Sequence, residues 1–408
     1  MPQLALTGGP KSKSKPFPAW PIHDERERQA VLEVLESNVW WRTPGTRTLK
    51  FEQEFAAFHG AKHGIAITNG THAIEVLLTA LDVGPGDEVI VPDSTFVATA
   101  SAVLYAGAMP VMVDIDEATQ CIDPALVEKA ITPRTKAIIA VHLGGHPADL
   151  DKLSEIAAKH KITLVEDCAH AHGSEWRGRK VGTFGIAGTF SFQQSKNMTA
   201  GEGGIIITND DAFERKARSA HDCGRLPGEW FYSHFSYGSN YRLSEWQGAI
   251  LSVQLTRLDD QTKRRHANGR LLDKLLADIP GATPQKHDER CTRNGQYAYI
   301  FYYDKSHFGG APTKQFIAAM NAEGIPNQAA YPPVHGLDVF QNGSYRRRLC
   351  AEQAQEEHPF LQAKFPVTER AAWECYWVPQ YCLLGDEQDM HEIAAAVKKI
   401  QRHAAELG

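Results

Sequence analysis

Lys196 closes the segment Ser191-Phe192-Gln193-Gln194-Ser195-Lys196, directly behind an apolar run that reads as a buried strand, and the Gly-rich turn Gly201-Glu202-Gly203-Gly204 follows it. A lysine in that setting loses the water around its ammonium. Its pKa falls, and the neutral amine can attack an aldehyde to form a Schiff base. Twenty-nine residues earlier, Asp167 ends another apolar run in Val165-Glu166-Asp167-Cys168-Ala169-His170. In open α/β sheets, ligands sit outside the carboxyl ends of the strands. A carboxylate there can keep a pyridinium nitrogen protonated, so that the ring acts as an electron sink.

Two further segments suit the same ligand. Thr68-Asn69-Gly70-Thr71-His72-Ala73 joins a strand to a helix. The free N–H groups of a helix start bind phosphate, and Gly70 allows close approach. Phe96, in Pro92-Asp93-Ser94-Thr95-Phe96, offers an aromatic face to a planar ring. Each feature alone has a plainer reading as a turn residue, a surface lysine, a helix cap or a core aromatic. Their order and spacing carry the argument.

The elements that would position these residues are legible as short Val- and Ile-rich runs at 64–68, 88–91, 111–115, 136–142, 162–166, 187–192 and 204–208. Helical patterns lie between several of them. Ala73, Leu77 and Leu81 repeat at four, and 153–160 is a second helix. Asp123-Pro124 reads as an N-cap followed by proline at the first helical position. Before the strands come an extended arm of about twenty residues and a helix over about 24–38. Alternating strands and helices predict an α/β layer architecture with a largely parallel sheet. Ser244-Glu245-Trp246-Gln247 has the form of a capping box, and a long helical pattern runs on to about Ile279, interrupted near Gly269. Fewer buried-type runs follow, among them 297–303, and a last helix starts after Asp386. The expected division is a large domain over 1–255, including the arm, and a small C-terminal α+β domain over 256–408.

At 408 residues the chain is long enough for two domains, and 42% apolar with 23% charged residues is ordinary for a globular protein. A net charge of −6 speaks against a nucleic-acid partner or a basic membrane-binding face. The run Arg346-Arg347-Arg348 reads as a solvated face or, more pointedly, as an anion contact. Seven cysteines, an odd number with no C-x-x-C pair, argue against a disulfide framework and against structural zinc, so no metal is expected. No apolar h-region follows Lys11, Lys13 and Lys15, and no stretch has the length of a membrane span, so a cytoplasmic location is expected.

These motifs together resemble the DegT/StrS-type sugar and aminocyclitol aminotransferases, a branch of the type I fold of pyridoxal 5′-phosphate (PLP) enzymes. The resemblance runs from about Trp20 to the C-terminal helix. It rests on the segment from Thr68 to Ala73, Glu166-Asp167-x-Ala169-His170, Thr189-Phe190-Ser191-Phe192 with Lys196, Gly201-Glu202-Gly203-Gly204 and Gly238-Ser239-Asn240-Tyr241-Arg242-Leu243. It implies a mostly parallel seven-stranded sheet in the large domain and PLP as cofactor. Lys196 would hold the cofactor and move the proton, and Asp167 would pair with the ring nitrogen. Phe96 would stack on the ring. Gly70, Thr71 and Ser191 would hold the phosphate, with Gln193 close by. Asn240 would reach the phosphate of a neighbouring subunit, making a homodimer with shared sites. His170 would face the ring hydroxyl, where most relatives place Gln.

The implied reaction moves an amino group from glutamate or glutamine to a keto-sugar or keto-cyclitol. Relatives that make aminocyclitols or 3-amino-5-hydroxybenzoate are similar here; the latter also resemble the chain at Trp40-Trp41-Arg42 and at Ala169-His170-Ala171-His172-Gly173, which weighs against a nucleotide-linked sugar. The alternative is a PLP dehydratase or aromatising enzyme like 3-amino-5-hydroxybenzoate synthase. Sugar dehydratases of the family carry His in place of the lysine, whereas this chain keeps Lys196. A non-catalytic sensor would be expected to carry a DNA-binding segment or basic surface, and neither is evident in the sequence.

Overall fold

A computed structural model of the protein describes residues 3–407. Its centre is a seven-stranded sheet of β1 (His63–Ile67), β2 (Glu88–Pro92), β3 (Met109–Val113), β4 (Thr135–Val141), β5 (Thr163–Asp167), β6 (Ala187–Ser191) and β7 (Gly204–Thr208). The spatial order is β1-β7-β6-β5-β4-β2-β3. β7 runs antiparallel to both of its neighbours, and the other pairs are parallel. Each expected strand is present, within one or two residues. β3 begins earlier than the apolar pattern suggested and takes in Pro110, which an edge strand tolerates because its outer N–H positions need no partner.

Helices cover the sheet because nearly every strand residue is apolar on both faces. α1 (Glu25–Ser37) and α2 (Arg47–His59) precede β1, and α3 (Gly70–Ala80) follows it. α3 buries Ala73, Ile74, Leu77 and Leu78 on the sheet. α4 (Ala98–Tyr105), α5 (Pro124–Ala130), α6 (Leu150–His160) and α7 (Asp211–His221) complete the layers. The Asp123 carboxylate caps α5, whose first residue is Pro124, as its sequence demands.

α8 (Glu245–Ala277) is one continuous helix of 33 residues. Gln247 Oε1 accepts from the Ser244 N–H at 3.1 Å, the back half of a capping box. The expected interruption at Gly269 is absent. An interior glycine costs a helix only about 1 kcal/mol, and here the Gln296 side chain packs over it, its Nε2 2.4 Å from where a Cβ would lie. Residue 255 lies inside this helix. Leu251 and Leu258 belong to the core beneath β1 and β7, whereas Leu272 and Leu276 belong to the C-terminal core.

That second core backs an antiparallel four-stranded sheet of β8 (Ala282–Pro284), β9 (Ala298–Tyr303), β10 (Gln328–Ala329) and β11 (Cys375–Pro379), in the order β8-β9-β11-β10. The N-terminal arm docks on this core. Leu4 is fully buried in it, Ala5–Thr7 forms a 3-10 turn, and Lys13 Nζ pairs with Glu392 at 2.9 Å and with Asp389. The partners of Ala5 and Lys13 lie more than 300 residues away in sequence, out of reach of any local pattern.

Among the described residues all seven cysteines are unpaired, and no helix is long and apolar enough to cross a membrane. Of the arginine run, Arg346 donates to the carbonyls of Ala354 and Glu356, while Arg347 and Arg348 are exposed.

Candidate active site

The parallel strands β1, β5 and β6 point their carboxyl ends at one edge, and a cavity of about 680 Å³ opens there. Gly70, Thr71, Phe96, Asp167, His170, Ser191, Gln193 and Lys196 all line it. Asn240 does not. It is exposed, on the segment that leads to α8.

One wall is the N-terminus of α3. Asn69 caps it, its Oδ1 accepting from the His72 N–H at 2.8 Å. The N–H groups of Gly70 and Thr71 have no partner inside the helix, and they carry the positive end of its dipole. A Cβ on Gly70 would lie 2.8 Å from Ser191 Cβ. The glycine therefore lets α3 seat against β6, which brings the helix start and the Ser191 hydroxyl to one place. Likewise, a Cβ on Gly204 would meet the Asn69 carbonyl at 2.5 Å.

Asp167 ends β5, paired across the sheet with Val141 and Thr189. Its Oδ2 accepts from the Thr99 hydroxyl at 3.0 Å and its Oδ1 from the Ala169 N–H at 3.1 Å. Thr99 contacts the Thr95 hydroxyl at 2.9 Å. This short relay orients a carboxylate that is only 7% exposed.

Lys196 is buried at the tip of the turn after β6. Desolvation lowers its pKa from 10.5 to about 8, against the opposing pull of Asp167 and Glu202. At pH 7 that leaves about one amine in ten neutral, against about one in three thousand for an ordinary lysine. Nζ stands 4.5 Å from the centroid of the Tyr297 ring.

His170 stacks on Tyr297 with centroids 3.9 Å apart. Its Nδ1 accepts from the Gly144 N–H at 3.4 Å, which leaves the proton on Nε2, 3.3 Å from the Tyr331 hydroxyl. Burial, with the neighbouring Lys196 and His172, holds the imidazole well below its usual pKa and therefore neutral. Phe96, 54% exposed at the mouth, faces Tyr331 at 5.9 Å between centroids.

Glu166, beside Asp167, has a structural task. It accepts from the N–H groups of Gly182, Phe184 and Gly185 and meets His142 Nε2 at 3.2 Å. Cys168 lies close to this pair, and potential ligand atoms of the three residues fall within 4.8 Å of one another. Since Ala148 N–H donates to His142 Nδ1, the Nε2 proton is free to bond Glu166, and the cluster is satisfied without an ion.

Thr99, Tyr297 and Tyr331 escaped the sequence reading. Thr99 lies on α4 and left no motif. Tyr297 was read only as part of a buried run, and Tyr331 sits just past β10. Both tyrosines reach the cavity from the C-terminal part of the chain, across more than 120 residues from His170.

A buried lysine, a carboxylate at a strand end and an open helix start thus meet at one cavity, on a mostly parallel sheet with an appended antiparallel one. The chain belongs to the DegT/DnrJ/EryC1/StrS aminotransferase family, whose sequence profile matches residues 21–398. It is 40% identical to the L-glutamine:2-deoxy-scyllo-inosose aminotransferase of Streptoalloteichus tenebrarius, over 99% of both chains. It is also 40% identical to the 3-amino-5-hydroxybenzoate synthase of Amycolatopsis mediterranei, over 94% of this chain and 97% of the other. A crystal structure of 3-amino-5-hydroxybenzoic acid synthase superposes with a TM-score of 0.87 at 38% identity, covering 96% of this chain and all of that one.

Proposed function

We propose that the protein is a PLP-dependent aminotransferase that carries nitrogen from glutamine or glutamate to a keto-cyclitol or keto-sugar, in a homodimer with shared active sites. The observation that carries this reading is the joint placement of Lys196, Asp167 and the α3 N-terminus around one cavity. That donor set fits PLP. The unpaired N–H groups of Gly70 and Thr71, with the Ser191 hydroxyl, suit a phosphate, and the buried Asp167 carboxylate suits a protonated ring nitrogen. When bound, PLP supplies an aldehyde for amines and a ring that withdraws electrons.

The chain's own groups do the rest. Asp167, fixed by Thr99 and Ala169, holds the proton at the ring nitrogen. Lys196, near neutrality, takes and returns a proton inside the cavity. With the cofactor bound, His170 would offer a hydrogen bond to the ring hydroxyl, Phe96 would cover the ring face, and Gln193 would lie near the phosphate. Tyr297 and Tyr331 line the cavity beside His170. Similarity to the scyllo-inosose aminotransferase favours a keto-cyclitol acceptor and glutamine as donor. Seven unpaired thiols suit a reducing compartment, supporting a cytoplasmic location.

Absorbance tests the reading. The purified protein should show a visible cofactor band that glutamine bleaches with no acceptor present, and a keto-cyclitol should restore it as an amine appears. A band that neither glutamine nor glutamate bleaches overturns the proposal. An aromatic amine released from a cyclic ketone would favour the aromatising alternative, which the second relative supports.

Asn240 belongs to the dimer part of the proposal. The segment before it exposes Trp230 (71%), Tyr232 (66%) and Tyr237 (90%), an aromatic surface of the kind that marks a protein contact. Asn240 would serve the partner's phosphate. A Lys196→Ala chain mixed with an Asn240→Asp chain should then regain activity, because one site of each heterodimer collects both defects and the other none. Subunit exchange without recovery would place Asn240 outside the partner's site.

A further inference from the structure

Arg265, on α8, is fully buried, yet it pairs with no carboxylate among the described residues. Its pKa, lowered by burial to about 9, still leaves it cationic at neutral pH. An unpaired charge in a protein interior is costly, so its retention calls for a reason. Its contacts supply one. Nη2 donates to Gln380 Oε1 at 2.6 Å and to the Asn197 carbonyl at 3.5 Å. The Trp20 ring covers the guanidinium, with Cζ 5.3 Å from its centroid, and Nε and Nη1 make no hydrogen bond.

Trp20 makes a second contact. Its indole N–H donates to the Gln194 carbonyl at 2.9 Å. Ser195 Oγ meets the Tyr297 hydroxyl at 3.0 Å, and Asn197 Nδ2 donates to the Gly295 carbonyl at 2.6 Å. The turn that carries Lys196 is thus held at positions 194, 195 and 197, by the arm, by the residue before β9 and by α8. Between these contacts the Lys196 side chain faces the cavity.

We propose that Trp20 and Arg265 are positioning residues that clamp this turn, so that Lys196 delivers its amine in one orientation while remaining shielded from water. The planar guanidinium is suited to the task, because it can stack under an indole and donate in its own plane at once, which an ammonium cannot. The proposal rests on Lys196 being the cofactor lysine. A loosened turn would let the amine reach water, and its pKa would climb back towards the ordinary value.

The test uses the holoenzyme and its Arg265→Lys, Trp20→Ala and Trp20→Phe variants. Arg264→Gln is the control, since Arg264 donates to the Gly385 carbonyl and has no contact with the turn. Misplacing a reacting group by about 1 Å costs about 100-fold. Arg265→Lys and Trp20→Ala should therefore lose about 10- to 100-fold in kcat, with the acidic limb of the kcat profile moved to higher pH. Trp20→Phe, which keeps the aromatic face, should recover part of the loss. A purely structural defect would scale kcat equally at every pH, and that result overturns the clamp, as do variant profiles that superpose on the Arg264→Gln control. Should the harsher variants fail to fold, Trp20→Phe decides by the same pH shift. Borohydride labelling of the wild type on a lysine other than 196 would sink the premise itself, separately from the clamp.

Discussion

Lys196→Ala is expected to abolish the visible cofactor band and nearly all turnover while the protein stays folded. General acid–base catalysis by one positioned group is worth about 10²- to 10⁴-fold. Removing Lys196 takes the covalent attachment away as well, so the loss should exceed that range. Folding should survive because the side chain lines a cavity and is not interlocked with the core. Borohydride reduction of the wild type, followed by peptide mapping, should place the label on the Lys196 peptide. An active Lys196→Ala protein, or a label elsewhere, would remove the residue from its role.

Asp167→Asn is expected to slow the half-reaction with the amino donor by orders of magnitude, with little change in thermal stability. The amide can occupy the same network. Its oxygen can accept from Ala169 N–H, and its NH₂ can donate to the Thr99 hydroxyl, which then turns its own proton towards Thr95. What the amide lacks is the negative charge that keeps a ring nitrogen protonated, and with it the electron sink. Stopped-flow absorbance with glutamine reads the rate directly. Wild-type rates in Asp167→Asn would show that another group holds that proton.

Both predictions concern residues that the sequence exposes well, for a physical reason. Lys196, Asp167, Gly70 and Phe96 sit at or just beyond the ends of buried strands, and each is introduced by a local pattern: an apolar run, a Gly-rich turn or a helix cap. In a parallel sheet those ends share one edge, so strand-end residues far apart in sequence arrive together once the strand directions are known. The capping signals at Asp123 and Ser244 were legible for the same reason, since a cap is satisfied within a few residues of chain.

The sequence by itself therefore determined the large sheet, its strands within a residue or two, and the strand-end groups around the cavity. Only the tertiary structure decided what closes that cavity and what steadies it. Tyr297 and Tyr331 come from the C-terminal part of the chain, Thr99 from a helix with no motif, and Trp20 from the arm, whose docking site the sequence does not show. It also decided that Gly269 interrupts nothing and that Gly70 makes room for Ser191, because a glycine in a sequence does not show whether it serves a turn, a break or a close approach. Only the fold brings the Gly144 N–H against His170 Nδ1 and so sets the tautomer of that ring. These contacts join segments separated by tens to hundreds of residues. They leave no period or spacing along the chain, and they exist only once those segments have been brought together by the fold.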